Sequence, residues 1–206
     1  MFLSEKVKIE FENSIACYQQ VSDSGKCESN DDIVGRAFVK AAKTQENVLV
    51  EDIQLESFRK LYITGHGGAG VAHTSSGDSI FTAKEVVDIL EVNGILGKIK
   101  DLRFTSCGSA DRRKIASVSK ESIDVANRDP GIFEKLAFGG AKSFIEVLSS
   151  EIWDRGYTDV RVSGYHGAGV FYKEELPFTH LRSSTIPATD TVKRESLRVT
   201  LESDLD

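Results

Sequence analysis

The chain has 206 residues, 40% hydrophobic and 28% charged, which suits one sizeable α/β domain, or one domain with a small appendage, and argues against a long disordered linker. Its formal net charge of −6 argues against general binding to DNA or RNA, which takes a basic surplus. The three cysteines, Cys17, Cys27 and Cys107, are odd in number and include no Cys-x-x-Cys pair, which argues against a disulfide framework and gives a structural zinc site little support.

In chain order, the alternation Val7-Lys8-Ile9-Glu10-Phe11 predicts a short strand. A polar stretch from Ser22 to Asp32 reads as a loop. Asp31 or Asp32 then caps a helix over about 33–43, with Val34, Phe38, Ala41 and Ala42 on its apolar face. Asn47–Val50 suggests a further short strand. Phe58–Thr64 predicts a buried strand that ends abruptly in Gly65-His66-Gly67-Gly68-Ala69-Gly70. Thr82-Ala83-Lys84-Glu85 has the pattern of a capping box, and Val86, Val87, Ile89 and Leu90 supply the stripe of the helix it starts. Asn93-Gly94 closes that helix.

Ile99–Ser106 predicts the next strand, which runs straight into Cys107-Gly108. Asp129-Pro130 marks a helix start, and helical spacing from Phe133 to Leu148 predicts one helix over about 130–150. Thr158–Gly164 and Ser196–Glu202 read as strands, the second as an edge strand or hairpin arm. The succession strand–helix–strand–helix–strand implies an α/β fold with a mostly parallel sheet flanked by helices. The expected organisation is a single domain over 1–206, with a core at about 33–172 and extensions at both ends.

Ligands in such sheets bind beyond the carboxyl ends of the strands. His66 and Cys107 both sit at such ends, 41 positions apart and joined by one helical crossover. Neighbouring strands are ~4.8 Å apart, so the two side chains can meet above the sheet. An imidazole titrates near neutral pH and can take the proton of a thiol, which makes His66 a candidate base and Cys107 a candidate nucleophile. Gly67 and Gly108 follow the two residues and leave room for a substrate backbone. The N–H groups of Gly67 and Cys107 are candidates for an oxyanion hole, where each good donor is worth ~3–4 kcal/mol of barrier. Asp78 is a candidate to orient His66. Tyr165-His166-Gly167-Ala168-Gly169 repeats the Gly/His theme after another strand, so His166 is a candidate for a second imidazole or a substrate-facing wall. His66, His73, Cys107 and His166 carry metal-donor atoms, but their spacing matches no compact metal motif. The chain also holds no G-x-S-x-G elbow and no G-x-x-x-x-G-K-[ST] phosphate loop.

Leu61-Tyr62-Ile63-Thr64-Gly65-His66-Gly67 resembles the strand-then-His-Gly motif of caspase-like (clan CD) cysteine peptidases. Leu102-Arg103-Phe104-Thr105-Ser106-Cys107-Gly108 resembles their strand-then-Cys motif. Within that clan the chain is most similar to the self-processing cysteine protease domain of RTX toxins, over roughly residues 33–172. The resemblance implies a three-layer α/β sandwich and peptide-bond hydrolysis through an acyl-enzyme, with His66 as base and Cys107 as nucleophile, on the protein itself or on a protein target. It needs no cofactor for the chemistry. It implies inositol hexakisphosphate as an allosteric activator, for which Arg36, Lys40, Lys60, Arg161, Lys173, Arg182, Lys193, Arg194 and Arg198 are the candidate cations.

The start of the chain lacks a basic segment followed by an apolar one, and no apolar run reaches ~20 residues. The expected setting is therefore a cytoplasm, or a host cytosol reached by an effector secreted without a cleavable signal, with no membrane span. The rival readings are a catalytically inactive protein- or inositol-phosphate-binding module on the same scaffold, and a Cys–His acyl-transfer enzyme.

Overall fold

The structure, a computed structural model, describes residues 60–76, 79–131, 140–170, 181–186 and 188–204, together with positions 9 and 135. Strand β1 is Lys60–Ile63, and the hairpin β2 (His73–Ser76) and β3 (Ser79–Thr82) follows it. Helix α1 spans Ala83–Val92 and β4 spans Asp101–Phe104. Helices α2 (Lys120–Asn127) and α3 (Phe144–Asp154) precede β5 (Arg161–Tyr165). The short strands β6 (Ala168–Val170), β7 (Leu181–Ser183) and β8 (Val192–Lys193) come next. A 3₁₀ turn over Arg194–Leu197 leads into β9 (Arg198–Leu201).

The main sheet has the order β1-β4-β5-β9. The pairs β1–β4 and β4–β5 are parallel, while β9 runs antiparallel to β5. This is a mixed α/β fold with a mostly parallel sheet, as the strand–helix alternation implies. In register, Leu61, Leu102, Val162 and Leu201 form one row, and Ile63 lies opposite Phe104. The period-two rule sends these residues to one face. That face meets Val86, Val87 and Leu90 of α1 and Phe144, Ile145, Leu148 and Ile152 of α3. Each large apolar side chain buried there contributes roughly 1.5–3 kcal/mol. The rings of Phe104 and Phe144 lie 4.7 Å apart, tilted at 54°.

The opposite face carries Tyr62, Arg103, Ser163 and Thr200 in one row, with Tyr165 and Arg198 in the next. Its polar groups satisfy one another. Arg103 grips Asp101 with bonds of 2.7–3.1 Å and donates to the Tyr62 hydroxyl at 3.1 Å. Burial pushes the Asp101 carboxyl up, but the bonds and charge of Arg103 outweigh it and hold it below its ordinary value.

The Thr82–Glu85 capping box forms, with Glu85 N–H donating to Thr82 Oγ1 at 3.2 Å and Thr82 N–H to Glu85 Oε2 at 2.8 Å. The helix predicted over 130–150 does not run as one piece. Residues 140–143 are not helical, and α3 starts afresh at Ser143, whose own capping box uses Glu146. The helical periodicity of the sequence runs across Gly139-Gly140, whereas local hydrogen bonding favours a new N-terminus at Ser143. Ile9 is helical, against the strand-like alternation of Val7–Phe11. Val7 and Phe11 are also four apart, so five residues fit either period. The predicted elements at 33–43 and 47–50 lie outside the described residues. Among those described, no helix is long and apolar enough to cross a membrane.

Candidate active site

The parallel strands β1 and β4 end side by side, and each releases its loop at the same edge. Thr105 N–H donates to Ile63 O at 3.0 Å, which extends the pairing one residue past the strand. The loop after β1 is then pinned at its histidine. His66 N–H donates to Ser75 O at 2.8 Å, and Ser75 N–H returns to His66 O at 2.9 Å. Thr74, buried, adds its hydroxyl to His66 O at 2.8 Å. The hairpin β2–β3, which the polar sequence did not announce, thus fixes the backbone of His66 and leaves the residue exposed.

The two loops pack backbone on backbone. A Cβ on Gly67 would sit 3.1 Å from both Cβ and Oγ of Ser106 and 3.2 Å from Cys107 O. A Cβ on Gly108 would sit 2.8 Å from Ala69 N and 3.1 Å from Gly68 C. Gly108 also holds φ at +57°, a conformation that side chains resist. Glycine is required for this approach at Gly108, and a Cβ would be tight at Gly67; the approach is what sets the loop of His66 against the turn of Cys107. Gly108 N–H is committed to Gly167 O at 2.7 Å. Among the described residues, nothing engages the N–H of Gly67 or that of Cys107.

The turn 107–111 is sewn to the rest of the sheet. Ser109, buried, donates its hydroxyl to Phe104 O at 3.2 Å and accepts from Tyr165 N–H at 3.0 Å. Ser109 O accepts from Ile145 N–H at the first turn of α3. Asp111, 1% exposed, accepts from Gly167 N–H at 2.7 Å and from His166 at 2.6 Å. A carboxylate can only accept, so His166 Nδ1 carries the proton of that bond. Asn127 of α2 adds a weaker donor at 3.3 Å. His166 is thereby a fixed, mostly buried link between the loop after β5 and the turn that carries Cys107.

Cys107 is partly exposed, and its sulfur accepts from Gly169 N–H at 3.4 Å. Beneath it lies Arg182 of β7, 1% exposed. Arg182 donates to Thr105 O at 2.8 Å, Ser106 O at 3.2 Å and Gly167 O at 3.1 Å. Its guanidinium stacks 4.8 Å from the centre of the Tyr165 ring. On the polar face, Arg194 lies 5.3 Å from Tyr165 and 5.5 Å from Tyr62, and Arg103 covers Tyr62 at 5.5 Å. Cations and rings therefore alternate from Arg182 to Arg103.

Of the other sequence candidates, Asp78, Arg36, Lys40 and Lys173 lie outside the described residues, as do Cys17 and Cys27. Lys60 and Arg161 flank Asp101 at the far end of the strands, while Arg194 and Arg198 stand at the site end. His73 is exposed at the start of β2. Among the described residues, no three His, Cys, Asp or Glu side chains gather as metal ligands. Sequence reasoning did not single out Asp111, Ser109 or Thr74, because the partner of each is set only when distant segments meet. A scan against protein-family models, a search of curated proteins and a search of solved structures all return no match for this chain.

Proposed function

We propose that the protein is a cysteine endopeptidase with a Cys107–His66 dyad on a three-layer, caspase-like sandwich. The observation that carries this reading is the close packing of Gly67 on Ser106–Cys107 and of Gly108 on Gly68–Ala69. It joins an exposed histidine and a partly exposed thiol at the carboxyl ends of adjacent parallel strands, where α/β folds place their chemistry.

His66 takes the Cys107 proton, and the sulfur attacks the carbonyl carbon of a peptide bond. The N–H groups of Gly67 and Cys107 receive the oxyanion. His66 protonates the departing amine, and an acyl group remains on sulfur. Water, deprotonated by His66, then releases the acid and restores the thiol. Substrates are the chain itself or a protein target, in a cytoplasm or a host cytosol. Inositol hexakisphosphate is proposed as an activator, its phosphates held by cations of the polar face such as Lys60, Arg161 and Arg198.

The test is incubation of wild type, Cys107→Ala and His66→Ala with a proteome-derived peptide library, with and without inositol hexakisphosphate, reading new termini by mass spectrometry. Cleavage by wild type and none by Cys107→Ala is expected. Undiminished cleavage by a folded Cys107→Ala variant contradicts the assignment.

A further inference from the structure

Arg182 is the one large cation of the described core, and no described carboxylate pairs with it. Its three acceptors are backbone carbonyls, and among the described residues no carboxylate lies within ion-pair distance. Among the described residues, its buried Nε has no hydrogen-bond partner. A buried, uncompensated charge is costly, and a buried orphan donor in a native fold calls for an explanation. Burial pulls the guanidinium down to about 10.

The geometry supplies the connection. Residue 169 lies between the two groups, with its N–H donating to Cys107 Sγ at 3.4 Å and its Cβ position 3.8 Å from Cζ and Nη1 of Arg182. The same Nη1 holds Ser106 O, the carbonyl just before the nucleophile. Among the described residues, the charged and titratable groups that face Arg182 are Cys107, Arg194, Tyr165 and Asp111, of which Asp111 is a carboxylate. Asp111 already accepts three bonds from elsewhere.

We propose that Arg182 is the electrostatic partner of Cys107, a positioning residue whose buried guanidinium, together with the Gly169 N–H, stabilises the thiolate and orients the peptide that carries it. On ionisation the S–H bond breaks, the electron pair stays on sulfur, and the proton passes to His66 or to water. Arg182 favours that state whichever base accepts the proton. The inference rests on Cys107 as the nucleophile, but its readout requires no turnover, so it stands or falls separately from the peptidase reading.

The experiment measures iodoacetamide modification of the Cys107 peptide by mass spectrometry at pH 6 and pH 10. The ratio of the two rates reports the fraction ionised at pH 6 and cancels differences in access. An opposite charge that stabilises a thiolate shifts its ionisation by about 1–3 pH units, so Arg182→Met should lower the ratio about tenfold or more. Arg182→Lys, which keeps the charge, should stay within about threefold of wild type. An unchanged ratio in folded Arg182→Met overturns the proposal. If circular dichroism shows that variant unfolded, His66→Ala decides. Its ratio should exceed that of the same variant in urea about tenfold or more, and equality of the two overturns the proposal.

Discussion

Replacing Gly108 with alanine attacks the packing that joins the two loops. At φ +57° a side chain costs about 1–2 kcal/mol. The new Cβ would lie 2.8 Å from Ala69 N, about 0.6 Å inside ordinary contact, and its next neighbours at 3.1 and 3.2 Å are also backbone. Backbone cannot swing aside as a side chain tip can, so overpacking adds about 1–3 kcal/mol. Alanine also restricts the unfolded chain and returns about 0.4–1 kcal/mol. The net loss is about 3 kcal/mol. Gly94 is the matched control, since its φ is +65° and nothing lies within 4 Å of its Cβ position. Gly94→Ala should cost about 1 kcal/mol by the conformational and unfolded-state effects alone. Equilibrium urea unfolding of both variants isolates the contact with the His66 loop as their difference. Equal losses in the two variants would refute the loop-on-loop packing.

The other predictions concern the dyad and two polar ties. Cys107→Ala should abolish peptide cleavage with an unchanged circular dichroism spectrum, and folded His66→Ala should lower kcat about 100-fold or more in a peptidase assay. Asp190 accepts from Val118 N–H, Ser183 Oγ and Ser184 N–H at 2.7–2.9 Å, so Asp190→Ala should cost about 1–3 kcal/mol in urea unfolding. Burial pushes the Asp190 carboxyl up, but the hydrogen bonds from Ser183, Ser184 and Val118 outweigh it and hold it at about 2. Its folded value is below its unfolded one, so the added stability is present above about pH 4. The gap between wild type and Asp190→Ala should therefore narrow as pH falls from 4 to 2. Glu146 caps α3 through Ser143 and grips Arg112 at 3.0 Å, so Glu146→Ala should lower the urea-derived stability by about 1–3 kcal/mol.

The sequence made β1 and β4 legible because both are short apolar runs that stop at glycine-containing loops. It made α1 legible because Thr82 and Glu85 meet within one turn and the stripe Val86, Val87, Leu90 follows directly. These signals are local, and together they placed His66 and Cys107 at adjacent strand ends. Helix α3 was misread at its start because apolar spacing was weighed above the Ser143–Glu146 pair. The hairpin β2–β3 escaped notice because His73-Thr74-Ser75-Ser76 has no apolar face. The partners of the Cys107 turn were illegible for a different reason. Asp111 and His166 are 55 positions apart, and Arg182 reaches Thr105 across 77. No local pattern encodes such pairings, which exist only once the sheet has brought its ends together.

The most direct test of the central claim is active-site labelling with a library of peptides ending in an acyloxymethyl ketone, with and without inositol hexakisphosphate. Peptide-resolved mass spectrometry would locate the adduct. A cysteine peptidase reading predicts fast modification of Cys107 that depends on the peptide and vanishes in urea. Labelling of Cys17 or Cys27 at equal rates, or of Cys107 no faster than in the unfolded chain, would contradict it.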